Sequence, residues 1–554
     1  MAKTITITSR STPGSFAGTP VVGVGTLPAG TYYYKIIAIS AINGGIRSAP
    51  SAEISVVLSA TGSVNLSWAA VASSYYMVWR TTVSGDYVHK TISGVGASYK
   101  CKMLRTAHNA VSSSTTTMTD NGSVLTTNVT QGIIHYEYYD YEIPAVNISG
   151  GDAADPFSMK YLYDQDVALG WGYITRAGDS FTGYTYTIKC LIYAHSACYW
   201  VDKDGRSTWI VLGGINFTSD STIILGWEST NEEWLYGVRI IKPVHTGYYA
   251  LPQITFAGTT SLYGCTFDHI NTEYQGYIVP LNYDYSLQCG ASSLAFSGNY
   301  IIKGCKFIGP AYSTTFTGGG VFLVERCDFS AGSRTFSLLG GDFSTGQFKD
   351  IYVKDGGTGI NYERSIQTYA TFVGGLVKAG LRSVQLAYAG ADLTLVDTIF
   401  DEAKIQFYQG LTYTGAGATL HYQNRIDITV LDDVNVPIEN VSVTMKNVNS
   451  VVQFSVLTDA LGAISQQRVE AYKYYPADNT VHTVTAAEKT NYNPFILTIS
   501  KAGYETYTEK VTISSQVTKS VTLKTSLKMR RGLQGEVYLA ENPSEGSRTK
   551  IIQV

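Results

Sequence analysis

The sequence predicts an all-β, multi-domain chain, and three observations carry that prediction. Tyr and Gly are abundant, at 42 and 54 residues, while charged residues make up only 15%. β-Branched and aromatic residues suit pleated strands, and Gly suits the turns between them. Short runs of alternating apolar and polar residues recur between turn signals. In the middle third, one short pattern returns at near-regular spacing, the mark of a repeat architecture. At 554 residues, roughly three or four domains are expected.

Residues 1–17 read as a Ser/Thr/Gly/Pro arm with one strand-like run, Ile5 to Thr8. Such an arm has no core and becomes ordered only by docking on something else. Residues 18–121 alternate in short runs broken near Gly44-Gly45 and Pro50-Ser51, which predicts a β-sandwich. Its blocks GTYYYKIIAIS, APSAEISV, GSVNLSWAAVASSYYMVWRT and TTTMTDNG resemble a fibronectin type III domain of the kind found in phage structural proteins. Trp68 and Tyr76 are expected in its core, with sugar stacking as the alternative.

Residues 122–185 are Tyr-rich and irregular, a linker or a capping region for the next domain, with the run HYEYYDYEIP as an exposed-patch candidate. Asp140, Glu142, Asp152, Asp155, Asp164 and Asp166 cluster in sequence. A calcium site uses such oxygen ligands, but no D-x-D-x-D-G loop is present, so solvated loop carboxylates are expected.

Residues 186–424 carry the repeat. An apolar strand, a break, a small residue and x-Phe recur at Cys265 and Phe267, Cys305 and Phe307, Cys327 and Phe329, and Thr398 and Phe400. Phe307, Phe329, Ile351 and Val373 are spaced by 22 residues; Phe217 to Ile240 is 23, and Ile240 to Phe267 and Val373 to Phe400 are each 27. Phe267 to Phe307 is 40, which fits two short coils or one coil with a long loop. A period near 22 suits one coil of three short strands, stacked at ~4.8 Å. Cys265, Cys305 and Cys327 then share an inward file as buried thiols. The segment resembles the right-handed parallel β-helices of phage tail proteins and pectate-lyase-like proteins.

Residues 425–525 change character. Pro437 to Val441, Thr458 to Gly462, and Ser500 to Tyr504 resemble three turns of the carboxypeptidase regulatory-like, transthyretin-type sandwich, a non-catalytic accessory fold. Residues 526–554 read as a polar tail with a cationic cluster, Lys528, Arg530 and Arg531, expected to be solvated.

Chemistry is sparse. The net charge of −3 gives no basic footprint for nucleic acid. No run approaches the ~18 apolar residues needed to span a bilayer. The start MAKTITITSRSTPG lacks an apolar stretch, so no export leader is expected. Seven cysteines without a CxxC pair argue against a disulfide scaffold or zinc site. Eight histidines are scattered, and no HExxH, G-x-S-x-G, Walker or G-x-G-x-x-G motif appears. No cofactor and no metal are expected.

Glycoside hydrolysis needs two carboxylates flanking the bond. Among Asp328, Asp342, Asp350, Asp355, Glu363, Asp397, Asp401 and Glu402, only Asp328 and Asp350 stand one 22-residue period apart. On adjacent rungs they would suit a retaining pair, although such pairs also arise by chance on a solvated face. The resemblances together imply a phage virion component that is made in the host cytoplasm, a fibre, spike or decoration protein. They imply contacts with other virion proteins and host surface polysaccharide, and a homotrimer by analogy with tailspikes. A polysaccharide depolymerase and a cellular surface adhesin are the rival readings.

Overall fold

The computed structural model describes residues 1–40, 46–72, 74–85, 101–105, 116–122, 142–228, 235–241, 254–268, 294–308, 314–339, 343–363, 368–378, 380–386, 391–407, 418–476, 482–526, 528–531, 537–540 and 549–550. These residues are mostly strand, with one α-helix among them, so the chain is all-β as expected. It divides into two compact units: Met1–Gly341 with Ile351–Asn361 and Lys378–Ser383, and Asp342–Asp350 with Tyr362–Val377 and Val384–Val554.

In the first unit, seven strands form two antiparallel sheets. One orders Ala17–Leu27, Gly62–Ser67 and Thr117–Asp120; the other orders Ile54–Leu58, Gly30–Ser40, Ser74–Thr81 and Cys101–Arg105. Alternation turns Tyr34, Ile36, Val56, Val64, Leu66, Trp68 and Val78 into one buried core. Trp68 and Tyr76 lie in it, their rings 5.2 Å apart. A buried ion pair crosses the core: Arg80 Nη1 reaches Asp120 Oδ1 at 2.5 Å, and Tyr34 Oη donates to Asp120 at 2.9 Å.

The same unit contains three parallel ladders that advance in step. One file runs Ala194, Phe217, Phe256, Phe296, Phe316, Leu338. The second runs Trp200, Ile223, Thr260, Tyr300, Phe322. The third runs Tyr186, Trp209, Ile240, Phe267, Phe307, Phe329. Each coil gives one short strand to each ladder, and period-two alternation aims these side chains inward. Like side chains therefore stack: the rings of Phe267 and Phe307 lie 5.2 Å apart and 1° from parallel, and those of Phe307 and Phe329 4.5 Å and 6°. Burying each Phe contributes roughly 1.5–3 kcal/mol.

All three ladders cross the 40-residue interval together, Phe256 to Phe296, Leu262 to Ile302 and Phe267 to Phe307. The interval is one coil with a long insertion. Other spacings need correction. Phe217 follows the file of Phe256, whereas Ile240 stands between Trp209 and Phe267, so the expected step from Phe217 to Ile240 joins two ladders.

The first coil is covered on its open edge. The arm strand Thr4–Thr8 pairs antiparallel with Ala145–Gly150, which pairs parallel with the Leu191–Asp202 strand. An antiparallel partner here removes a row of free backbone groups from the edge. The Met1 amino group meets Asp152 at 2.7 Å and Lys3 meets Asp155 at 2.6 Å. The helix Met159–Leu169 is capped by Ser158, whose Oγ accepts from the Tyr161 amide, and ends at left-handed Gly170. Phe157, just before it, stacks on Trp200.

In the second unit, parallel pairing continues from Thr368–Val373 to Ala391–Val396 and on to Thr419–Gln423. Leu376 and Val377 pair with Ile399 and Phe400, and Val384 to Leu386 with Ile405 to Phe407. Val377, not Val373, is thus the partner of Phe400; Val373 pairs with Val396. The strand Thr419–Leu431 then continues past residue 425, parallel to Val517–Thr522 and antiparallel to Gln467–Tyr474. Its burial alternates over all 13 residues. A second, four-stranded sheet orders Val452–Leu457, Ser442–Lys446, Phe495–Ser500 and Tyr507–Val511. Ile428, Val430, Val443, Met445, Leu497 and Ile499 close the core beside it. The Asp459 carboxylate holds its turn by accepting from the Leu461 and Ala463 amides, with Gly462 at φ 71°.

Candidate functional site

The corner between the second and third ladders repeats one backbone conformation from coil to coil. Gly226, Gly264, Gly304 and Arg326 all take positive φ there in the first unit; in the second unit Asp350, Gly374 and Asp397 also take positive φ. The Gly264 amide donates to Lys303 O and the Gly304 amide to Glu325 O, each at 2.9 Å, so each corner is tied to the next.

At Gly226 the corner opens into an insertion. Trp227 and Tyr236 pair antiparallel across a two-stranded hairpin, as do Glu228 and Leu235. The two rings stack at 4.7 Å and 16°, yet Trp227 remains 40% and Tyr236 44% exposed. The hairpin lies over the following corners. A Cβ on Gly264 would fall 2.6 Å from Leu235 O, and one on Gly304 2.2 Å from Leu235 Cδ1. Glu228 accepts from Lys303 Nζ at 3.1 Å and stands 4.0 Å from Arg326 Nη2. The result is an exposed aromatic pair on one face, with Leu235 and the Glu228–Lys303 ion pair on the face toward the following corners. Sequence reasoning missed this element, because Glu228 and its partner Lys303 lie 75 residues apart in sequence.

The sequence-derived carboxylate pair is placed otherwise. Asp328 pairs in register with Lys306 on a partly exposed strand position. The Tyr352 amide bonds Cys327 O just as the Asp328 amide bonds Cys305 O, so Tyr352 is the next member of that file. Asp350 is instead a corner residue at φ 51°, and its Oδ1 lies over Gly374, 2.2 Å from where a Cβ would stand. The premise that one period gives Asp328 and Asp350 equivalent places does not hold. Asp342 lies outside the described residues.

The Asp/Glu cluster of residues 140–166 is engaged within the chain. Tyr173 Oη donates to Glu142 at 2.7 Å, and burial pushes the Tyr173 phenol up to about 12. Asp164 pairs with Lys160. Asp166 is buried, not solvated as expected, and accepts from the amides of Gly172, Tyr173 and Ile174. Asp140 and residues 135–141 of the Tyr-rich run lie outside the described residues. No metal-holding group of three or more His, Cys, Asp or Glu occurs among the described residues.

Cys265, Cys305 and Cys327 form the expected inward file as free, fully buried thiols; burial and neighbouring thiols raise the Cys305 thiol well above its usual range. Each donates to the carbonyl two residues earlier, and Thr398 takes the same role in the second unit. Val238 and Ile351 are likewise buried just after a corner.

Sequence reasoning also missed two ionic clusters of the second unit. His421 Nδ1 contacts Glu470 Oε1, and its Nε2 lies 3.4 Å from Asp392 Oδ1. Hydrogen bonds to Asp392 and Glu470 hold the imidazole up at about 9. Glu402 accepts from Tyr472 Oη and Tyr474 Oη at 2.7 Å and Lys489 Nζ at 2.6 Å. Burial pushes its carboxyl up, but these three donors more than offset that and lower it.

No helix among the described residues is long and apolar enough to cross a membrane. No family model matches the chain, and no curated protein matches it. Among solved structures, 3-chlorocatechol 1,2-dioxygenase from Rhodococcus opacus 1CP is similar over 21% of this chain and 63% of its own, at 17% identity and a TM-score of 0.14. A likeness that slight carries no argument about fold or activity.

Proposed function

We propose that the chain is a non-catalytic structural and adhesion component of a bacteriophage virion, of fibre, spike or surface-decoration type. In this reading, residues 186–424 are a right-handed parallel β-helix acting as a stiff spacer. Residues 18–121 are a fibronectin type III-like sandwich, and residues 425–525 a carboxypeptidase regulatory-like sandwich, serving for docking. The observation that carries the reading is the set of three parallel ladders advancing in step, with stacked Phe files. Coils of that kind cannot fold singly, and together they make a rigid support. The paired sheets with the Trp68 and Tyr76 core, and the Asp459 turn on the Thr458–Gly462 motif, support the two flanking assignments. The partners are other virion proteins and host surface polysaccharide, the assembly a homotrimer, and multivalent display raises the avidity of weak contacts.

The test is incubation of the purified chain with host surface polysaccharide. Binding without release of oligosaccharide is the expected result. Release that disappears in Asp328→Ala or Asp350→Ala would replace this reading with a depolymerase.

A further inference from the structure

We propose that the segment from Lys3 to Gly14 is a strap that holds the paired sheets around Trp68 and Tyr76 in one orientation on the first coil, with Lys3 as its latch. The inference goes beyond the adhesion reading above and does not depend on it.

The two halves of the strap grip different parts of the first unit. Thr4–Thr8 pairs in register with Ala145–Gly150 at the edge of the first coil, and Asn147 Nδ2 donates to Thr8 Oγ1 at 3.0 Å. The backbones approach closely there: a Cβ on Gly150 would fall 2.1 Å from Ala2 O. Beyond Ser9 the chain fastens to loops of the paired sheets instead. Arg10 Nη1 donates to Ala72 O, and Thr12 Oγ1 to Ala49 O at 3.1 Å. The Ala69 amide donates to Gly14 O at 2.7 Å.

Lys3 locks the coil half. Its side chain is 7% exposed, and its Nζ meets Asp155 Oδ1 at 2.6 Å. The same Nζ lies 3.9 Å from the centre of the Tyr161 ring and 5.5 Å from that of Phe157. Thr4, Thr6 and Thr8 are exposed, and Ile5 and Ile7 only half-buried, so Lys3 is the deepest side chain of this half. A buried ammonium left without its carboxylate is strongly destabilising.

The direct seam between the paired sheets and the coil is slight by comparison. Arg47 and Ile143 exchange amide-to-carbonyl bonds at 2.9 and 3.1 Å, and Ile46 clusters with Ala145 and Leu191. Seams that small permit relative motion by default. A segment bonded to both sides removes that freedom.

Amide hydrogen exchange of the full-length chain tests the strap. Lys3→Glu sets a second carboxylate against Asp155. Ile5→Pro combined with Thr6→Pro removes a ladder donor whichever of the two faces the partner strand. Each variant is expected to free the remaining amides of Thr4–Thr8 and to speed exchange at Arg47 and Ile143 about 10-fold, because the seam opens with the strap. The amides of Val64 and Val78, inside the paired sheets, are expected to keep their rates. Strap amides that exchange freely while Arg47 and Ile143 are unchanged overturn the proposal. Protection of Thr4–Thr8 that survives Lys3→Glu overturns Lys3 as the latch.

Discussion

Leu235 lies on Gly304: a Cβ there would stand 2.2 Å from Leu235 Cδ1. The same corner holds Arg326 one coil later, also at positive φ. Glycine at positions 264 and 304 therefore answers two demands, the left-handed backbone and the hairpin above it.

Gly264→Ala, whose Cβ would meet the Leu235 backbone oxygen at 2.6 Å, is accordingly expected to displace the hairpin and cost roughly 1–3 kcal/mol. Amide hydrogen exchange at residues 227, 228, 235 and 236 reads the displacement. Gly304→Ala meets only the tip of the Leu235 side chain and should change that exchange pattern less.

Phe307 is stacked between Phe267 and Phe329 and is 1% exposed. Phe307→Ala should cost about 3–5 kcal/mol, as large-to-small changes in a packed core do. Phe181, 86% exposed at a hairpin tip, should tolerate Ala within about 0.5 kcal/mol. Denaturant unfolding of the two variants checks the contrast.

Asp202 is buried at the head of a file, with its Oδ2 accepting from the Met159 amide. Burial raises its carboxyl to about 6, above the unfolded value near 4. A raised folded value means its contribution is fully present at pH below about 4 and is lost as pH rises through about 6. Asp202→Asn should flatten that segment of the stability profile, measured by thermal unfolding across pH.

His421 gives a second window. Its imidazolium is stabilised by Asp392 and Glu470, with the folded value raised from 6.5 to about 9. Its contribution is complete below 6.5 and lost as pH rises through about 9. In His421→Gln the fall in stability between those limits should shrink. Its neighbours across the sheet, Thr394 and Lys473, leave the two carboxylates as the groups that set the shift.

Much of the fold was legible because stacking forces like residues into files. The step from Phe307 to Phe329 and the shared file of three cysteines follow from that alone. The later steps to Ile351 and Val373 kept the period but lost the register. Inward positions recur every second residue within a strand, so a fixed spacing lands on another buried residue of the same coil. Ile351 is buried, but it holds the place of Cys327, and Val353 that of Phe329. The same slip made Asp328 and Asp350 look equivalent. The hairpin and the His421 cluster were hidden for a different reason: their partners lie 75 and 49 residues apart in sequence, Glu228 to Lys303 and His421 to Glu470.

Immunogold labelling of purified phage particles with antibody raised against this chain tests the central claim most directly. The account predicts label at one fixed structural position on intact particles. Particles free of label, with the chain recovered only from the soluble fraction of lysed host, would contradict it.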